Sequence, residues 1–179
     1  MEKEINVLQN NNTWHITDLS PGKNFVCSKW IYRVKRKSDG SIKRYKARLV
    51  ARGFTQLERL DYHETFAPLV KMNTVRTLLA IASSKGWPLY QLDVDNAFLY
   101  GHLDEEVYMT LPVGFYKIEK SQGKVCKLNK SIYSLKQASR QWFSKFSDAL
   151  IQFGFLLSLN DYSLFTYNKK GIYMALLVY

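Results

Sequence analysis

The stretch Lys29-Trp30-Ile31-Tyr32-Arg33-Val34-Lys35-Arg36-Lys37-Ser38-Asp39-Gly40-Ser41-Ile42-Lys43-Arg44-Tyr45-Lys46-Ala47-Arg48-Leu49-Val50 decides what kind of fold this chain adopts. Two runs rich in aromatic and β-branched residues, Phe25 to Lys37 and Ile42 to Val50, flank the polar break Ser38 to Ser41. Asp39-Gly40 is a favoured pair for a two-residue turn in which both central positions need φ > 0. That turn sets a register in which Trp30 faces Leu49, Tyr32 faces Ala47 and Val34 faces Tyr45, giving one apolar face. The other face opposes Arg33 with Lys46 and Lys35 with Arg44, with Arg48 beside Ile31. Tyr32 and Tyr45 fall on the apolar side, so core packing is expected of them rather than stacking on a ligand.

Charge and hairpin coincide. Residues 29 to 52 hold ten Lys or Arg and one acid, Asp39, so they carry +9 of the chain's formal +11. Like charges directly opposed across two strands destabilise a hairpin unless something neutralises them. A phosphate backbone does so, and the reading is a polyanion-binding face; a solvated charged face is the plainer alternative. Arg33, Lys35 and Arg44 are the candidate nucleic-acid-binding residues.

The chain as a whole is 46% apolar and 15% aromatic, which supports a core and excludes a disordered basic tail. Cys27 and Cys126 are too few for a disulfide framework and are expected to be core thiols. His15, His63 and His102 are scattered, as structural or surface residues. No apolar run approaches the roughly 18 residues of a membrane span, and the N-terminus does not read as a signal peptide, so an intracellular location, cytoplasmic or nuclear, is expected.

Outward from the hairpin, Asn73 to Lys85 reads as a helix with an Asn or Thr cap, apolar Val75, Leu78, Leu79 and Ala82, and Gly86 as its stop. Tyr90, Leu92 and Val94 alternate with Gln91, Asp93 and Asp95, a strand signature. A helical turn is expected through Ala97, Phe98 and Leu99, ending near Gly101. Glu106 to Leu111 and Lys124 to Leu128 read as strands around a Pro- and Gly-containing loop. Gln137 to Phe153 has the clearest helical spacing, with Gly154 to end it. Leu164 to Tyr167 and Ile172 to Tyr179 read as a second hairpin around Asn168 to Gly171. The class is α+β. The last strand is apolar up to Tyr179 and reads as cut.

Asp93 and Asp95 lie two apart on the predicted strand, so both carboxylates share a face. Such a pair is suited to Mg²⁺, a hard ion held by one or two carboxylates together with substrate phosphates. Ordinary solvated acids on an exposed strand are the alternative.

The wider motifs are more specific. Lys29 to Lys35, Arg44 to Gln56, Asp61-Tyr62-His63-Glu64-Thr65-Phe66-Ala67-Pro68, Gln91 to Leu99, Glu105-Glu106-Val107-Tyr108-Met109, and Leu135-Lys136-Gln137-Ala138-Ser139-Arg140-Gln141-Trp142 follow one another in order. Together they resemble the copia-type retrotransposon reverse transcriptase, part of a Pol polyprotein, from about Trp14 onward. The resemblance implies residues 1–13 as a lead-in and 14–179 as fingers and incomplete palm of a right-hand polymerase, with a basic hairpin and a mixed or antiparallel palm sheet.

It further implies an RNA-directed DNA polymerase that uses two Mg²⁺ ions, an RNA or DNA template-primer and a dNTP. Asp93 is then the catalytic carboxylate and metal ligand, with the Val94 carbonyl as a second ligand, and Asp95 is set aside. Phe98 corresponds to the aromatic that selects deoxyribose, Lys46 and Arg48 to cations for the triphosphate, and Gln137 to a nucleotide-facing segment. The resemblance has departures: Ser134 and Arg59 stand where the family carries Gly. The family continues past Leu-Val-Tyr with Val-Asp-Asp, and thumb and ribonuclease H are also outside the sequence, so the chain alone is expected to be inactive. A non-catalytic nucleic-acid-binding remnant and a non-functional degenerate fragment remain as alternatives.

Overall fold

A computed structural model describes residues 1–114 and 123–179. Its chain order is α1 (Glu2–Asn10), β1 (Trp14–Asp18), β2 (Phe25–Val26), β3 (Ser28–Arg36), β4 (Ile42–Ala51), α2 (Met72–Lys85), β5 (His102–Thr110), β6 (Lys124–Lys130), α3 (Ala138–Phe153), β7 (Leu156–Leu157), β8 (Leu164–Lys169) and β9 (Ile172–Leu177). Short 3₁₀ turns cover Gly53–Thr55 and Ala97–Tyr100. This is the α+β class expected. The chain divides into one unit of residues 1–65 and 96–142 and another of residues 66–95 and 143–179.

The first unit is built on a four-stranded sheet in the order β1-β6-β5-β2. β1–β6 and β6–β5 are antiparallel and β5–β2 is parallel, so the sheet is mixed. Its core gathers Val107, Met109, Cys126 and Leu128 of the sheet with Leu49, Leu99, Ile132 and Leu135. Helix α1, for which the sequence offered no element, sends Ile5 and Leu8 into that core. Glu2 and Glu4 in its first turn complement the helix dipole. The Pro- and Gly-containing loop between β5 and β6 lies partly outside the described residues.

The basic hairpin has the expected register: Trp30 with Leu49, Ile31 with Arg48, Tyr32 with Ala47, Arg33 with Lys46, Val34 with Tyr45 and Lys35 with Arg44. Three features differ from expectation. The run from Phe25 is not one strand, because the chain changes partners at Cys27. β2 pairs with β5, the Ser28 N–H donates to Thr110 Oγ1 at 2.7 Å, and the Arg52 N–H donates to the Cys27 carbonyl at 2.8 Å.

The turn differs as well. Of Asp39 and Gly40, Gly40 alone has positive φ, at 82°. The Gly40 N–H closes on the Lys37 carbonyl at 3.1 Å, and Asp39 Oδ1 accepts from the Ser41 N–H and hydroxyl. The ladder then shifts so that Arg36 pairs with Ile42. An aspartate that can bond its own backbone two residues on does not need the left-handed conformation.

Third, Tyr32 and Tyr45 are not core residues: they are 66% and 76% exposed. The core covers the base of the hairpin, where Leu49, Val50 and Ala51 are buried, and a two-stranded ribbon cannot cover its own far end. Cys27 is also exposed, against expectation, whereas Cys126 is buried. Burial pushes the Cys126 thiol up to about 12.

In the second unit, α2 starts at Met72 with Lys71 at its cap, so neither Asn73 nor Thr74 caps it. Thr74 is drawn away: its hydroxyl donates to Asp161 Oδ2 at 2.5 Å. Gly86 ends the helix in the left-handed conformation, as its position predicts. α3 runs to Phe153, followed by Gly154 at φ 105°.

The predicted strand Tyr90 to Val94 is absent. Residues 87–94 join no ladder, and Tyr90 and Leu92 are 84% and 77% exposed. Alternation makes a two-sided ribbon, but a strand also needs a neighbour to complete its backbone hydrogen bonds. β8 pairs with β7 and β9, and neither β8 nor β9 takes up this segment. No helix among the described residues is long and apolar enough to cross a membrane.

Candidate functional site

The cationic face of β3 and β4 places Arg33 against Lys46 and Lys35 against Arg44. The ion pairs among the described residues lie elsewhere, between Lys23 or Lys127 and Glu106, Lys124 and Asp18, and Arg140 and Glu64. The acid that does approach the hairpin is Glu4 of α1. Burial raises its pKa, against smaller opposing effects of a backbone hydrogen bond at Leu49 and the charges of Arg48 and Lys46. One Glu4 oxygen is buried without a hydrogen-bond partner.

Arg48 and Phe98 are brought together by a residue the sequence reading did not single out, Tyr133. The Arg48 guanidinium lies 5.0 Å from the Tyr133 ring centroid, inside the range of a cation–π interaction. The Phe98 ring meets the same ring edge-on, at 5.7 Å and 87°. The Tyr133 hydroxyl donates to Asn96 Oδ1 at 3.0 Å, and the Ala51 N–H donates to the Tyr133 carbonyl at 3.0 Å. Asn96 is left-handed, φ 54°, at the start of the 3₁₀ turn that carries Phe98, and asparagine tolerates that conformation better than most residues. The one signal for Tyr133 in the sequence is its place beside Ser134.

Gln137 is fully buried. Its Oε1 accepts from Gln56 Nε2 at 3.1 Å, and its own Nε2 donates to the Asp61 carbonyl at 3.1 Å. Gln56 Oε1 also accepts from the Lys136 N–H at 2.9 Å. Gln137 therefore ties the loop after β4 to the segment before α3; its side chain is not an open ligand contact. Ser134 and Arg59, the two departures from glycine, both have positive φ, 71° and 68°. Gly53 lies so close to Ser134 that a Cβ there would sit 1.9 Å from the Ser134 carbonyl oxygen.

Asp93 and Val94 belong to the irregular, exposed segment of the second unit. A two-ion centre needs several carboxylate oxygens to hold ions about 4 Å apart. Among the described residues no group of three His, Cys, Asp or Glu converges to hold a metal ion. Among the described residues the donors do not make up a complete two-Mg²⁺ site.

Comparison with known proteins decides the family. Residues 11–178 match the family described as reverse transcriptase (RNA-dependent DNA polymerase). The chain belongs to this family. It is 44% identical over its whole length to the retrovirus-related Pol polyprotein from transposon RE1 of Arabidopsis thaliana, covering 12% of that protein. Against the corresponding polyprotein from transposon TNT 1-94 of Nicotiana tabacum it is 44% identical over 90% of the chain, again 12% of the relative. The Transposon Ty1-ER2 Gag-Pol polyprotein of Saccharomyces cerevisiae is 32% identical over 84% of the chain and 8% of its own length. The chain thus spans about an eighth of the first two, as a reverse transcriptase segment of copia-type Pol polyproteins. No solved structure matches it.

Proposed function

We propose that this reverse transcriptase segment supplies the fingers and part of the palm of a right-hand, RNA-directed DNA polymerase, and that its basic hairpin holds the phosphates of a template-primer. The observation that carries the reading is the pair of directly opposed cations, Arg33 with Lys46 and Lys35 with Arg44. Opposed like charges cost stability, and a bound polyanion removes that cost.

Lys46 and Arg48 are assigned to the triphosphate of a dNTP and Phe98 to its sugar, by family membership and by their common unit. Gln137 acts by fixing the loop that flanks them. In the whole polymerase, two Mg²⁺ ions supply the electrostatic stabilisation that phosphoryl transfer depends on. Asp93 and the Val94 carbonyl are this chain's share of that site, and the isolated chain binds without turning over.

Fluorescence anisotropy with a labelled single-stranded oligonucleotide tests the binding half. Three phosphate contacts, from Arg33, Lys35 and Arg44, predict an affinity that falls about 20-fold between 50 and 200 mM salt. A salt-independent affinity overturns the reading. Primer extension with Mg²⁺, set against an Asp93→Ala control, tests the catalytic half: extension above that control by the isolated chain overturns the predicted lack of turnover.

A further inference from the structure

We infer that Tyr133 is a positioning residue that sets the phosphate-facing cation Arg48 and the sugar-facing ring Phe98 together. This rests on the proposed roles of those two residues and adds a coupling between them. Arg48 projects from the exposed face of β4, where a free guanidinium would sample many rotamers. Holding it 5.0 Å above the Tyr133 ring reduces that freedom before any ligand arrives. Phe98 sits on a short 3₁₀ turn, and the same ring braces it edge-on.

The turn is fixed from the other side of the tyrosine. The Tyr133 hydroxyl holds Asn96, the left-handed residue that starts the turn, and the Tyr133 carbonyl receives the N–H of Ala51 at the end of β4. One side chain therefore touches the cation, the ring that meets the sugar, and the residue that aims that ring, while the backbone of the same residue is bonded to the strand that carries the cation. Phosphate affinity and sugar selectivity become linked quantities. Independent supports for Arg48 and Phe98 would leave them separable.

The experiment compares dATP and ATP binding to the intact chain by isothermal titration for wild type, Tyr133→Leu, Tyr133→Phe, Arg48→Ala and Phe98→Ala. Tyr133→Leu should weaken dATP binding roughly tenfold and lower the dATP-to-ATP preference together. Arg48→Ala should lower affinity with the preference kept, and Phe98→Ala should lower the preference. Tyr133→Phe keeps both ring contacts but loses the bond to Asn96; it should retain affinity within about twofold and lower the dATP-to-ATP preference less than Tyr133→Leu does, which separates positioning from loss of fold.

A side-chain NMR measurement needs no ligand: the Arg48 Nε–H resonance should move in Tyr133→Leu and stay close to wild type in Tyr133→Phe. If Arg48→Ala and Phe98→Ala each lose binding or preference while Tyr133→Leu matches wild type, the coupling is overturned and the proposed roles stand. If wild type binds neither nucleotide, the roles and the coupling fall together.

Discussion

Two tight hairpins, β3–β4 and β8–β9, obey different rules. In β3–β4 the turn has one left-handed residue, Gly40, and the ladder absorbs a register shift between Lys35 and Arg36. In β8–β9 the two-residue turn Lys170-Gly171 has φ of 52° and 80°, and Lys169 pairs directly with Ile172. The sequence pointed to the tight turn with both residues left-handed at Asp39-Gly40, and it occurs at Lys170-Gly171. Asp39 spends its carboxylate on Ser41, whereas Lys170 has no side-chain acceptor with which to do the same. The first hairpin opposes cation to cation; the second opposes Phe165 to Leu176 and Thr166 to Ala175. Strand pairing follows side-chain alternation, and turn type follows local hydrogen bonding, so the two need not be read from the same residues.

The largest expected effect separates the hairpins by charge. Lys35→Glu with Arg44→Glu should weaken oligonucleotide binding about 100-fold at low salt and flatten its salt dependence, since two phosphate contacts are lost and two repulsions added. Lys169→Glu with Lys170→Glu, the same change of charge on β8–β9, should alter binding less than about threefold. Equal losses from both pairs would mean that net charge matters and the hairpin face does not.

Acid should separate the two units next. Burial alone would raise the pKa of Asp161, but hydrogen bonds from Thr74 and Ser163 outweigh it and hold the carboxyl at about 2. An unfolded aspartate titrates near 3.9, so the folded group has the lower pKa. Its stabilising contribution is complete above about pH 4 and is lost as pH falls toward 2. Glu4 has the opposite sign: its folded pKa is raised, so protonation favours the fold around α1. Amide exchange at pH 5 and pH 2.5 should show protection falling at α2 and β8 first. Asp161→Ala should remove this dependence and cost about 2 kcal/mol at pH 7, by denaturant unfolding.

Smaller effects test the left-handed positions. Ser134→Gly and Arg59→Gly should each stabilise the chain by about 1 kcal/mol, the strain of a Cβ at positive φ less the extra entropy glycine loses on folding. At the turns the signs should differ. Lys170→Gly should raise the unfolding midpoint slightly, by about 0.5 kcal/mol of stability, because it relieves φ 52°. Asp39→Gly should lower the unfolding midpoint, because both bonds to Ser41 disappear. The same sign at both turns would show that the Asp39 bonds do not hold the first turn.

What was legible in the sequence was local. The pairing of Arg33 with Lys46, the 3₁₀ turn through Phe98, the helix stops at Gly86 and Gly154, and the concentration of charge in one hairpin all depend on residues close in the chain or on one repeating period. The family motifs were legible for the same reason, as short runs in a fixed order. Tertiary structure decided the rest. Whether Tyr90 to Val94 becomes a strand depends on a ladder partner elsewhere; whether Tyr32 and Tyr45 are covered depends on what packs over the hairpin. Gln137 is buried because Gln56 and Asp61 meet it across some eighty residues of sequence. Tyr133 gathers Arg48, Asn96 and Phe98 for a similar reason. Periodicity fixes which way a side chain points, and only the packed chain determines what it meets there.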